Sequence, residues 1–234
     1  MCFNVDECKV MHIGEKNPNF KYHLQGHELS EVKQEKDLGV IISNTLKMSD
    51  QCSAASKKAN MMLRLITRKF DYKSPELMKR LYLAFVRPHL EYAVQFWSPN
   101  YIKDQVMLER IQRRATKQIP SLRNFTYDER LKRLDMFSLQ KRRVRGDLIE
   151  VFKILNRFEN INPESLFQRD PNTITRSNGM KLKGNRCNTL ARRSYINNKV
   201  VDHWNRLPPS VVSAQSINSF KASLDKYFKD IRFY

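Results

Sequence analysis

Ten basic side chains stand out in this sequence because their spacing suits a row of phosphates. Lys57 and Lys58 are adjacent, and Lys141, Arg142, Arg143 and Arg145 form a dense run. Between them, Arg110, Arg113, Arg114 and Lys117 recur at three- and four-residue steps, which brings their heads to one side of a helix. Guanidinium forks match phosphate oxygens, and each neutralised phosphate releases counterions. The competing reading is a solvated helix face with local ion pairs, such as Glu109 with Arg113.

Catalytic groupings are harder to find. Phosphoryl-transfer sites with two metal ions need carboxylates a few ångströms apart. The chain has no Asp-Asp pair, and its nearest acidic neighbours are Asp6-Glu7 and Asp128-Glu129. The second pair follows Thr126, where a hydroxyl and a glutamate three residues on make a capping box. Cys2, Cys8, His12, His23 and His27 are possible metal ligands, yet none of their intervals gives the short paired spacing of zinc sites. Strand cysteines and hairpin histidines account for them. Ser138 and Thr126 read as caps, and no nucleophile–base set accompanies them. Gly39 and Gly146 stand alone, without a phosphate-cradling Gly-rich loop. Trp97 and Trp204 could stack on bases, but both sit in apolar periodic runs that suit a core.

Composition favours a folded, polyanion-seeking chain. The 234 residues are 41% hydrophobic, with 43 Lys and Arg against 24 Asp and Glu. Residues 1–50 carry 6 basic and 8 acidic side chains, whereas residues 51–234 carry 37 and 16. The positive excess therefore belongs to the second part, and a nucleic-acid partner is the expectation. The four cysteines have no disulfide-framework spacing, so reduced thiols are expected. The N-terminus lacks the basic flank and apolar run of a signal peptide, and no stretch approaches the ~20 apolar residues of a membrane helix.

The elements that must position these residues are mainly helical. Residues 8–43 predict short strands, with a hairpin turning at Gln25-Gly26. Ser49 predicts a cap for a helix to about Phe70, with Cys52, Ala55, Ala59, Met62 and Ile66 inward. Ser74-Pro75 marks a second helix start, and Pro88 predicts a kink or break. A third helix over 103–119 turns Leu108, Ile111, Ala115 and Ile119 inward. A short helix follows Thr126, and Ser138 opens a long one burying Val144, Leu148, Val151, Phe152 and Leu155. Residues 157–190 are polar and rich in breakers, which predicts a linker. Helices are expected over 191–206 and over 217–229, the latter capped by Ser216 with Ile217, Phe220, Leu224 and Phe228 inward.

Six segments in order carry a resemblance: EKDLGVIIS (35–43), SKKANMMLRLITRKF (56–70), LYLAFVRPHLEYAVQFWSP (81–99), LERIQRRATKQIP (108–120), YDERLKRLDMFSLQKRRVRGDLIEVFKILN (127–156) and VVDHWNRLPPSVV (200–212). Together they resemble the C-terminal part of a LINE-type, jockey-like non-LTR retrotransposon reverse transcriptase, from the end of the palm through the thumb. The resemblance implies a mainly α fold: a palm remnant with a β-hairpin over 1–48, a helical thumb with basic helices over 49–156, the linker over 157–190 and a C-terminal helical segment over 191–234. It implies unpaired strand edges and an exposed apolar face near the N-terminus.

The parent activity would be RNA-directed DNA synthesis using magnesium. The family has an Asn-x-x-Lys pattern after its catalytic hairpin; here Asn4 is followed by Glu7, an anion, so no catalytic role is carried over. The expected function is binding of RNA, DNA or an RNA–DNA hybrid through the ten cations, with no catalytic residue, metal or cofactor in this chain and no polymerase activity from it alone. The expected location is intracellular, with the nucleus open to it. A helical protein-interaction module kept by the host, or a translated remnant without function, are the alternatives.

Overall fold

A computed structural model describes residues 4–14, 16–171 and 179–230. It is 56% helix against 8% strand, so the fold is mainly α. The strands come first and are short: β1 (Lys9–Val10), β2 (His23–Leu24), β3 (His27–Glu28), β4 (Ser30–Glu31), β5 (Gln34–Asp37) and β6 (Val40–Ser43). They pair as a parallel β1–β4 ladder and two hairpins, β2–β3 and β5–β6. No sheet among the described residues exceeds two strands, so every strand keeps an open edge. Ile13, Phe20, Tyr22 and Leu38 are exposed here. The first hairpin turns at Gln25 and Gly26 as the sequence predicts, both with positive φ, which matches the strands' right-handed twist. The second turns at Leu38 and Gly39 in the same way, between the paired Asp37 and Val40.

Helices follow: α1 (Ser49–Lys69), α2 (Pro75–Leu81), α3 (Arg87–Glu91), α4 (Val94–Trp97), α5 (Ile102–Lys117), α6 (Tyr127–Arg133) and α7 (Leu139–Leu155). Ser74, Thr126 and Ser138 cap their helices through the hydroxyl, and Thr126 with Glu129 completes the capping box. Ser49 does not cap α1. Its hydroxyl is taken by Asp104, 2.6 Å away on α5.

Pro88 does not break its helix either. The Arg87 amide bonds five residues back to the Tyr82 carbonyl, so a π turn over Tyr82–Val86 joins α2 to α3. The widened turn makes room for a ring that would clash with the preceding carbonyls of a regular helix. The break comes later, at Ala93, whose φ of 50° is left-handed.

Beyond α7 the helices shorten: α8 (Pro163–Leu166), α9 (Leu190–Arg193), α10 (Ile196–Lys199), α11 (Val201–Asn205) and α12 (Pro209–Val212), before the long α13 (Ile217–Asp230). The single helix expected over 191–206 is thus three short pieces. Segment 157–190 is no plain linker. Phe167 and Leu182 are buried, Arg169 bridges Leu182, and the Trp204 indole donates to the Met180 carbonyl at 2.8 Å.

Two apolar cores result. The first gathers Val40 of β6 with residues of α1 to α5, down to Leu139 at the start of α7. The second takes Leu148, Val151 and Phe152 from the later turns of α7 and packs them on Trp204, Phe220, Leu224 and Phe228. Trp97 and Trp204 are both fully buried, one in each core.

Candidate nucleic-acid interface

Helices α1 and α5 lie side by side and run parallel. Three side-chain contacts advance together along both: Ser49 to Asp104 (2.6 Å), Asn60 to Arg114 (2.9 Å) and Thr67 to Gln118 (2.6 Å). The apolar stripes of both helices close the seam from below, with Ala59, Leu63, Leu108, Ile111 and Ala115 buried. Small residues at 55 and 59 let the two backbones approach.

Above the seam, the helical period places Lys57 and Arg64 on the flank of Asn60, and Arg110 and Lys117 on the flank of Arg114. All five cations are exposed, and none of them is ion-paired among the described residues. The Asn60–Arg114 hydrogen bond fixes the spacing between the two rows.

Two sequence-assigned residues leave this face. Lys58 is exposed but points away from the seam by helical geometry. Arg113 leans toward α6, where its guanidinium lies 4.4 Å from the centre of the Tyr127 ring. That ring is fixed by a buried network. Tyr127 donates to Glu109 and accepts from Gln112 Nε2 (3.0 Å), which also donates to the Phe137 carbonyl (3.0 Å), while Tyr82 donates to Gln112 Oε1 (2.7 Å). Burial first, then the Glu109 charge, pushes the Tyr127 hydroxyl up, so it stays protonated as a donor. The Glu109–Arg113 ion pair of the competing reading is not formed among the described residues: Glu109 accepts from Tyr127 and from the Leu139 amide (3.2 Å).

The run at 141–145 is a different matter, and here the phosphate assignment is corrected. Arg142 makes a two-pronged pair with Glu91, one prong at 2.9 Å. Arg145 does the same with Asp225, one prong at 2.9 Å. Lys141 donates to the Phe228 carbonyl. Arg143 is 7% exposed, and burial lowers its pKa against the raising effect of Glu109 and other nearby anions. Its two Nη atoms lack a hydrogen-bond partner among the described residues, as does the buried Asp104 Oδ1. These four cations tie α7 to α3 and α13 or sit inside; they present no free ribbon. A neighbouring pair, Lys199 and Asp147 at 2.9 Å, does similar work; burial raises the Asp147 pKa more than Lys199 lowers it.

Arg64 and Asn60 were missed from sequence. The signal was present: residues 57, 61, 64 and 68 step along one side of α1. Among the described residues no three His, Cys, Asp or Glu side chains converge as a metal set, and Cys2 lies outside those residues. No described helix is long and apolar enough to cross a membrane. No protein-family model, no curated protein and no solved structure matches this chain.

Proposed function

We propose that this chain binds nucleic acid through the paired α1–α5 face, as a C-terminal part of a retrotransposon reverse transcriptase would. The observation that carries the reading is the convergence of Lys57, Arg64, Arg110, Arg114 and Lys117 across two parallel helices, without carboxylates to neutralise them. Such a double row suits successive phosphates, and its charge is available because none of the five is ion-paired among the described residues. RNA, DNA and an RNA–DNA hybrid share the backbone it would grip. The absence of an Asp-Asp pair means that the chain alone is not expected to extend a primer.

The test is binding of the purified chain to a labelled RNA–DNA hybrid across salt. Five phosphate contacts weaken affinity about 500-fold between 50 and 200 mM salt. A flat response refutes the reading and favours a protein-interaction module, for which the exposed Ile13, Phe20, Tyr22 and Leu38 are the supporting feature. Primer extension above a heat-killed control would overturn the non-polymerase part.

A further inference from the structure

A second basic surface lies on the other core. Residues 171–201 carry seven basic side chains and no acidic one. Lys183, Arg186, Arg192 and Arg193 are exposed and form no ion pair among the described residues. The backbone under the arginine pair is held in place. The Arg192 amide meets Thr189 Oγ1 (3.4 Å), Ser194 Oγ donates to the Leu190 carbonyl (2.7 Å), and Asn198 Nδ2 donates to the Arg192 carbonyl (2.8 Å).

Beside these charges are uncovered rings. Tyr195 is 61% exposed and immediately follows the arginine turn. Lys199, one turn on, reaches the Gln95 carbonyl at 3.5 Å, and the next residue on that side, Phe96, is 60% exposed. Lys199 itself is paired with Asp147, but Arg192 and Arg193 make no ion pair among the described residues, and large rings left open to water next to such cations are the ingredients of a base-stacking platform. A duplex hides its base faces, whereas a single strand presents both ring faces and phosphates.

The geometry points to a single-strand-binding site on α9–α10, formed by Arg192, Arg193, Tyr195 and Phe96. Its ligand class is a single-stranded polynucleotide, recognised by stacking and backbone charge and not by sequence. The site is separate from the α1–α5 face and stands or falls independently of it.

The experiment measures anisotropy of a fluorescein-labelled 12-nucleotide RNA, and of the same RNA annealed to its DNA complement, with the full chain. Tyr195→Ala and the pair R192A/R193A are each expected to weaken single-strand binding about tenfold. Tyr195→Phe keeps the ring and retains wild-type affinity. R110A/R114A/K117A tests the other face and lowers hybrid binding instead. Helix content and the melting midpoint confirm that each variant is folded. The site is refuted if Tyr195→Ala binds the single strand as the wild type does, or if Tyr195→Phe loses as much as Tyr195→Ala. It is also refuted if polyglutamate of matched charge, or anionic vesicles, displace the RNA as well as unlabelled RNA does.

Discussion

The division of the cations into a free face and a set of internal ties can be tested by two triple- and double-site variants with opposite signatures. R110A/R114A/K117A removes three of the five charges above the α1–α5 seam, leaving Lys57 and Arg64. The logarithmic salt slope for hybrid binding falls from about −4.5 to about −1.8 at 0.9 per phosphate. Over a fourfold rise in salt, a ~500-fold loss of affinity becomes a ~12-fold loss. Stability changes little, because among the described residues the only internal bond lost is Arg114 to Asn60 at the surface.

R142M/R145M does the reverse. The Arg142 and Glu91 side chains are 27% and 23% exposed, so removing the arginine leaves a half-buried carboxylate with the looser Arg87 contact at 3.6 Å in place of its two-pronged pair. Asp225, at 36%, is more open and loses less. A charge-assisted pair of this kind contributes about 2 kcal/mol, and the two together about 4 kcal/mol or somewhat less. For a chain of this size that lowers the melting midpoint by about 10 °C, while the salt slope stays near its wild-type value. Differential scanning fluorimetry and a salt series of anisotropy titrations read the two axes. Equal slopes for both variants, or a lost slope with no fall in melting midpoint for R142M/R145M, would refute the division.

Three further outcomes follow from named contacts. Gln112→Leu deprives Tyr82, Tyr127 and the Phe137 carbonyl of their buried partner and costs about 3 kcal/mol in urea unfolding; a loss under about 1 kcal/mol would show the network to be dispensable. Amide hydrogen exchange is fast over residues 5–43, where strands are two to four residues long, and slow over 139–155; equal protection in both would contradict the assignment of stability to the helices. Burial, with Arg206 next, lowers the His203 pKa below 6.5. The unfolded chain therefore takes up a proton first as pH falls, and stability is lost from pH 6.5 downward to the folded pKa; His203→Gln flattens that part of a pH–stability profile, and an unchanged profile would remove His203 from the account.

Local chemistry was legible and tertiary partnership was not. Ser74-Pro75, Thr126 with Glu129, and Ser138 announce helix starts because each cap acts within four residues. Ser49 carries the same signal, yet its hydroxyl is claimed by a residue 55 positions away. The helix expected over 191–206 is interrupted where Asn198 bonds the Arg192 carbonyl, a side chain competing with the backbone ladder.

Likewise, the charge run at 141–145 and the one at 110–117 look alike in one dimension. What separates them is the arrival of Glu91 and Asp225 from 51 and 80 residues away. The polar stretch 157–190 hid two buried anchors, Phe167 and Leu182, because isolated apolar residues carry no period. The boundary drawn at 156 misses that α7 serves both cores.

The parallel run of α1 and α5 has an electrostatic corollary. Each helix carries partial positive charge at its start and partial negative charge at its end, and side-by-side parallel packing adds these fields where antiparallel packing would cancel them. Both negative ends meet near Lys69 and Lys117, and the last turns there are basic: Arg68 and Lys69 on one helix, Arg114 and Lys117 on the other. Those side chains offset the negative potential at that end of the pair, so a polyanion laid lengthwise is not repelled there.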